Sequence, residues 1–246
     1  MQAVILAGGE GTRMKPFTNT APKPMVPIDG KPLIDWQLAQ LRANGITDVV
    51  VYESYLPKVL QEHLGDGSQF GMKIEHRVLS LGRGSAGCIK DALQRLPDEQ
   101  QDLPILCGDI ISDINLAAMI KQHESDRPYL TLAATEHRTP YGRARAAGKR
   151  ILSFDEKPTD WENTGVYVVW KGAQKRMPDS GNFSTDYIEP LITRGLHVYK
   201  YPHEGYWWDV RDMSVVSEIE SSTKVIEGKI QLVDENAHTG KSIEAK

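Results

Sequence analysis

Gly8, Gly9 and Gly11 close the apolar run that opens the chain, and Thr12 and Arg13 follow at once. Glycine lets a backbone pass close to a ligand and turn its N–H groups toward an anion, so this loop reads as a phosphate cradle. Further on, Lys23 stands between Pro22 and Pro24. Proline fixes its own φ and pushes the preceding residue toward an extended conformation, which predicts a stiff, extended segment that aims the lysine. Arg13 and Lys23 together bring two cations to the mouth of the loop, as neutralising a triphosphate under attack requires. The bland alternative for both is a solvated surface cation. Asp109 falls just beyond a short apolar run, Pro104 to Cys107. Open α/β sheets place their ligands at such strand ends. A carboxylate there serves a phosphate only through a cation, and Mg²⁺ takes one or two carboxylates plus waters and phosphate oxygens.

Two familiar nucleotide motifs are absent. A dinucleotide fingerprint needs a glycine where Met14 stands, and the one Gly-Lys-Ser, at Gly240 to Ser242, has Glu235 where the leading glycine of a P-loop belongs. No Ser-His-Asp or Cys-His constellation is recognisable: the seven histidines lie in unrelated contexts, and His76, His123, His137 and His203 read as surface or strand residues.

The stretch LAGGEGTRMKPFTNTAPKPMVPI resembles the N-terminal signature of the sugar-1-phosphate nucleotidyltransferases, or nucleotide-sugar pyrophosphorylases. Further stations follow in that family's order: Leu106-Cys107-Gly108-Asp109, Phe154-Asp155-Glu156-Lys157-Pro158, Asn163-Thr164-Gly165-Val166-Tyr167 and Tyr206-Trp207-Trp208-Asp209-Val210. The resemblance covers residues 1 to about 226. It implies transfer of a nucleotidyl group from an NTP to a sugar 1-phosphate, giving an NDP-sugar and pyrophosphate, with Mg²⁺ as cofactor. By that resemblance Arg13 and Lys23 are catalytic phosphate binders, and Asp109 and Asp209 hold the metal. Leu6, Ala7, Gly8, Gly9, Gly11, Thr12 and Arg13, with Ser85, Ala86, Gly87 and Gly108, would bind the nucleotide. Gly142, Glu156, Lys157, Asn163 and Thr164 would bind the sugar phosphate.

Two departures bear on those assignments. The run Leu81-Gly82-Arg83-Gly84-Ser85-Ala86-Gly87 is longer than the family's leucine-glycine-threonine-alanine-glycine pattern, which blurs the register of any base contact. Arg211 and Asp212 follow Asp209 where the family places a glycine, so Asp212 is an alternative or additional metal ligand. No hexapeptide repeat follows, so no second acyltransferase or regulatory domain is expected. Among family members, guanylyl transfer onto mannose or heptose 1-phosphate is the favoured reading. Uridylyl or cytidylyl transfer, transfer onto phosphocholine, and an inactive regulatory homologue are the alternatives.

Positioning such residues calls for an alternating scaffold. Ala3 to Ala7, Asp48 to Tyr52, Ile74 to Val78 and Pro104 to Cys107 read as strands covered on both faces. Between them Leu33 to Asn44, Pro57 to Leu64 and Ala86 to Leu96 read as helices, the first ending at Asn44-Gly45. Beyond Asp109, Leu116 to His123 looks helical, and Tyr129 to Thr135, Arg150 to Phe154, Gly165 to Trp170 and His197 to Tyr201 look like strands, several of them antiparallel. Ser184 is placed to cap a helix carrying Tyr187, Ile188 and Leu191, and a last helix is expected from Met213 to about Ile226. The pattern predicts an α/β fold, a Rossmann-like three-layer sandwich with a mostly parallel central sheet and additional antiparallel strands in the second half. One domain is expected over 1–230, with a nucleotide part over about 1–112 and a sugar-phosphate part over about 113–230. A polar C-terminal tail over 231–246 follows.

Composition agrees with a folded protein: 246 residues, 40% hydrophobic and 25% charged, with 29 Lys plus Arg against 33 Asp plus Glu for a net charge of −4. No local basic patch is evident, so neither nucleic acid nor membrane is an expected partner. Cys88 and Cys107 are too few for a disulfide framework and read as small buried residues of a reducing compartment. The absence of a basic n-region or a long apolar span predicts a cytoplasmic protein, with a homodimer as the default assembly.

Overall fold

The computed structural model of the protein describes residues 1–226 and 229–232. The opening run is strand β1 (Gln2–Ala7), and the segment after the glycine loop folds into three short 3₁₀ turns, Thr12–Met14, Phe17–Asn19 and Lys23–Met25. Lys23 therefore opens a helical turn where an extended segment was expected. Pro22 is extended (φ −70°, ψ 155°), but the Val26 N–H then closes back onto the Lys23 carbonyl. A short ladder, β2 (Pro27–Ile28) with β3 (Lys31–Pro32), leads into α1 (Leu33–Ala43). That helix stops because Gly45 takes φ 77° and the Ile46 N–H reaches back to the Leu41 carbonyl, a left-handed cap that glycine adopts without steric cost.

The expected alternation continues through β4 (Asp48–Glu53), α2 (Pro57–Leu64), β5 (Lys73–Val78), α3 (Gly84–Arg95) and β6 (Asp102–Cys107). Then come β7 (Ile110–Ser112), α4 (Leu116–Asp126), β8 (Leu130–Arg138), a hairpin of β9 (Arg143–Ala147) and β10 (Arg150–Asp155), and the long β11 (Thr159–Trp170). The helix at 184 begins as a π turn, Ser184–Ile188, before α5 (Glu189–Thr193). Its cap is Asn182, whose side-chain oxygen accepts from the Ser184 and Thr185 N–H groups, so Ser184 is capped and does not cap. β12 (Val198–His203), β13 (Trp207–Asp209) and α6 (Met213–Ser222) complete the main body. The last helix ends four residues early: Thr223–Ile226 is β14, paired antiparallel with β15 (Lys229–Leu232), as suits a run with three β-branched residues in four. Of the expected polar tail, residues from 233 onward lie outside the described ones.

Seven strands form one sheet in the order β12-β8-β11-β6-β1-β4-β5. All are parallel except β11, which runs antiparallel to both β6 and β8. Alternation along β1 splits the core into two layers. Ala3, Ile5 and Ala7 pack with Ile34 and Leu38 of α1, Leu60 and Leu64 of α2, and Met119 of α4. Val4 packs on the other face with Ile89 and Leu93 of α3 and Leu191 of α5. Each of the Val, Ile, Leu and Met side chains among these contributes about 1.5–3 kcal/mol on burial, so the covered sheet is a rigid platform. A third cluster of Met14, Ile28, Trp36, Trp208 and Val215 fixes α6 and the proline-rich loop together.

Several residues differ in setting from expectation. Cys88 and Cys107 are half-buried free thiols. His123 is buried on the inner face of α4, its Nδ1 2.8 Å from the Thr131 hydroxyl, whereas His203 is a strand residue as expected, at the buried end of β12. A local basic cluster does exist: exposed Arg143, Arg145, Lys149 and Arg150 ride on the β9–β10 hairpin, with Arg143 paired to Asp160. Among the described residues no helix is long and apolar enough to cross a membrane.

Candidate active site

Leu6 of β1 lies in register with Tyr52 of β4 and Cys107 of β6, so these parallel strands end side by side. The glycine loop, Ser54 and the Gly108–Asp109 turn therefore emerge along one sheet edge. They enclose a cavity of about 340 Å³. Of the residues expected at the nucleotide, Leu6, Ala7, Gly8, Gly9, Ser85 and Gly108 line it, together with Lys23 and Asp109. Pro24, Tyr52, Ser54, Gly84, Cys88 and Cys107 line it too and were not anticipated. Tyr52 and Ser54 carried a readable signal, since they flank the last residue of the strand next to β1. Gly84 and Cys88 carried none beyond lying near Ser85.

The remaining nucleotide-side residues fall elsewhere. Gly11 (φ 60°), Thr12 and Arg13 form the lip beside the lining, and the Thr18 hydroxyl donates to the Gly11 carbonyl at 2.9 Å. Ala86 is buried in the core, and Gly87 backs onto the Asp179 carbonyl. The start of α3 is shaped by a second segment: the Ala86 N–H donates to Gly181 O at 3.0 Å, and Gly181 N–H donates to Arg83 O at 3.0 Å. Gly84, at φ 63°, has no room for a Cβ against the Gly181 carbonyl. The Ser85 hydroxyl accepts from the Phe183 N–H, which commits it to this junction.

Lys23 is the best-defined charged group. It is 9% exposed, and its Nζ lies 2.8 Å from Asp109 Oδ2 and 3.8 Å from Asp209 Oδ1. Backbone pairing makes this meeting possible. β7 and β13 run antiparallel with Asp209 opposite Ile110, and the Val210 N–H donates to the Asp109 carbonyl at 2.8 Å. Burial, then the negative charge of Asp109, pushes the Asp209 carboxyl above its ordinary range, against the pull of Lys23, Arg211 and Arg13. The pair is thus short of positive charge. Burial and the same two aspartates push the Cys107 thiol far up, which leaves it neutral beside them.

This donor set fits Mg²⁺. Two hard carboxylates converge on one point already visited by an ammonium, and among the described residues no group of three or more His, Cys, Asp and Glu could complete a protein-only cage. A cation held here takes its other ligands from water and phosphate. Asp212 is engaged differently. Its Oδ1 accepts from the Ser214 hydroxyl and from the Ser214 and Val215 N–H groups, capping α6, and these bonds, the hydroxyl's foremost, hold its carboxyl below the ordinary value.

The sugar-side residues stand outside this cavity. Glu156 Oε2 lies 3.0 Å from where a Cβ on Gly142 would sit, and Lys157 is exposed with φ 48°. The pairing of β11 with β8 slips between Asn163 and Tyr167, and the Asn163 side chain bridges this irregularity by donating to the Tyr167 hydroxyl at 2.7 Å. Thr164 is buried with its hydroxyl donated to Ala133 O, and its carbonyl accepts from Trp207 Nε1 at 2.7 Å. The irregularity is thereby tied to the strand that carries Asp209.

A profile of the nucleotidyl transferase family matches residues 2–224. The chain belongs to that family. It is 33% identical over 224 residues to a mannose-1-phosphate guanylyltransferase of Mycobacterium tuberculosis, covering 85% of this chain and 61% of the relative. It is 30% identical over 232 residues to a UTP–glucose-1-phosphate uridylyltransferase of a Synechocystis species, covering 85% of this chain and 60% of that one. The chain thus spans about three fifths of the length of these relatives. Among solved structures, HddC from Yersinia pseudotuberculosis complexed with GMP-PN superposes with a TM-score of 0.70 at 22% identity, covering 89% of this chain and 98% of that one. A putative glucose-1-phosphate thymidylyltransferase from Bacillus anthracis gives a TM-score of 0.71 at 20% identity, over 90% and 94% of the two chains. The family fold is therefore present from β1 through α6.

Proposed function

We propose that the protein transfers a nucleotidyl group from an NTP to a sugar 1-phosphate and releases pyrophosphate, with guanylyl transfer onto mannose or heptose 1-phosphate as the favoured case. The observation that carries this reading is Lys23 Nζ shared between Asp109 and Asp209 at the mouth of a glycine-walled cavity where parallel strands end. The guanylyl preference rests on the similarity to the Mycobacterium tuberculosis guanylyltransferase.

The reaction brings two anions together, so its main burden is alignment and charge neutralisation. An oxygen of the sugar phosphate, already ionised, attacks the α-phosphorus in line with the departing pyrophosphate, and no protein base is needed. The backbone of Gly8 and Gly9 receives the nucleotide phosphates, Lys23 and Arg13 offset their charge, and Lys157 with Glu156 holds the incoming sugar phosphate. Residues 1–112 form the nucleotide side and 113–230 the sugar side. Asp109 and Asp209 would hold Mg²⁺, which supplies Lewis-acid stabilisation of the phosphate oxygens when bound.

Pyrophosphate release, measured with GTP, UTP, CTP, dTTP and ATP against mannose, glucose and heptose 1-phosphates and phosphocholine, tests this. The expected result is release that depends on Mg²⁺ and is greatest with GTP and mannose or heptose 1-phosphate. Release confined to UTP would move the base assignment, and release only with phosphocholine, or none at all, would overturn the reading.

A further inference from the structure

Asp109 sits in a tight turn between β6 and β7, and side chains of a different element grip that turn from behind. Gln37, in the middle of α1, is 1% exposed. Its Nε2 donates to the Cys107 carbonyl at 2.7 Å and to the Ile110 carbonyl at 3.0 Å. Those two carbonyls bracket Gly108 and Asp109. Because both hydrogens leave one nitrogen, the fork of the amide fixes the separation of the two oxygens and with it the path of the backbone between them. Both acceptors are carbonyls, so the NH₂ must face them and the Oε1 must point away. That oxygen is buried without a hydrogen-bond partner.

An orphaned buried acceptor is costly, and an apolar side chain of similar size fills space without that cost. The amide's contribution is therefore its pair of donors. Gln40 extends the grip one turn on: its Nε2 donates to the Ser112 hydroxyl at 3.2 Å and to the Ile114 carbonyl at 3.0 Å. Asn44 closes the row, its Oδ1 accepting from the Ala117 N–H at 3.0 Å while its Nδ2 donates to Gln40 O at 2.8 Å. Positions 37, 40 and 44 share one helix face, so α1 lays a polar seam along residues 107–117. Leu38 and Leu41 of the same helix are packed in the core of the sheet, which makes the seam's base rigid.

The geometry points to Gln37 as a positioning residue for the metal-binding carboxylate, with Gln40 as its outer support: it holds the Cys107–Ile110 turn so that Asp109 stays in reach of the point it shares with Asp209. This rests on the proposed nucleotidyl transfer and on Asp109 as a metal ligand.

The test uses the full chain and Mn²⁺ as probe, its binding followed by electron paramagnetic resonance at saturating GTP, in wild type, Gln37→Met, Gln40→Met and Asp109→Asn. For Gln37→Met we expect the Mn²⁺ dissociation constant to rise at least tenfold and kcat to fall by a similar factor. The KM for GTP and the affinity for GTP measured without metal should stay within threefold. A residue serving stability alone would lower the melting temperature without this selective loss. A folded Gln37→Met whose Mn²⁺ affinity stays within threefold of wild type overturns the inference. Should Gln37→Met not fold, Gln40→Met decides: weaker Mn²⁺ binding by threefold or more supports the grip, and unchanged binding overturns it. Asp109→Asn separates the two levels, since undiminished Mn²⁺ binding there refutes the metal assignment itself and leaves the role of Gln37 without an object.

Discussion

At the residue scale, Lys23 meets a need that its carboxylate neighbours create. Two carboxylates that converge on one point repel each other, and the ammonium relieves this when no divalent ion is present. Asp109→Asn keeps the size of the side chain and removes its charge. It should lower turnover at least about a thousandfold, equivalent to ~4 kcal/mol, with little change in melting temperature, as steady-state pyrophosphate assays and calorimetry can check. Lys23→Met makes a sharper case. Turnover should fall by two or more orders of magnitude, while Mn²⁺ binding without nucleotide should strengthen severalfold, because the resident cation no longer competes. Titration calorimetry showing weaker Mn²⁺ binding in Lys23→Met would contradict this.

Legibility at this scale was uneven, for physical reasons. The glycine loop, Lys23 and Asp109 could be found because glycine, a prolyl-flanked lysine and an acid at a strand end each have restricted uses. Asp209 and Asp212 could not be separated by residue type. Only the ladder of β13 with β7 aims the former at Lys23 and leaves the latter at the start of α6. Gln37 was invisible because its role lies in contacts with residues some seventy positions away.

At the scale of elements, α6 depends on its cap. Asp212 accepts from the Ser214 hydroxyl and from two backbone N–H groups, and these bonds hold its carboxyl below the ordinary value of 3.8. A carboxyl depressed in the folded state contributes stability that is fully present above its unfolded pKa and is lost as pH falls through the folded one. Asp212→Ala should therefore cost about 1 kcal/mol near neutral pH. Its difference from wild type should shrink as the pH drops below 3.8. Denaturant melts at several pH values would show it, and a constant difference would exclude the cap's charge as its source. Because α6 shares a cluster with Met14 and Trp208, the same variant should loosen the Asp209 strand before it affects the sheet.

The elements of the first half could be read almost to their ends because buried parallel strands and amphipathic helices have different periods. The second half was harder. The register slip in β11, the π turn before α5 and the strand that ends α6 each rest on one particular nearby partner, Tyr167, Asn182 and β15 respectively, and a single local contact leaves no periodic signal in the sequence. The basic β9–β10 hairpin escaped notice because its four cations are interspersed in sequence with alanines and a glycine and are gathered only when the two strands pair.

At the scale of the molecule, both sheet faces are covered and the ligand edge is not, so binding should act as an external brace. GTP with Mg²⁺ at about a hundred times its dissociation constant adds roughly 2.7 kcal/mol to stability. That should appear as a rise of several degrees in melting temperature, read by calorimetry. The rise should be smaller in Asp109→Asn, and in wild type it should fall to that of GTP alone when Mg²⁺ is chelated.

The ladder between β7 and β13 also has a consequence for chain order. One aspartate stands at position 109 and its partner at 209, and every strand of the central sheet has been laid down by His203. The sheet's strands thus all precede the second aspartate in the chain, and the carboxylate pair around Lys23 is completed only by the return strand that comes back beside the turn between β6 and β7.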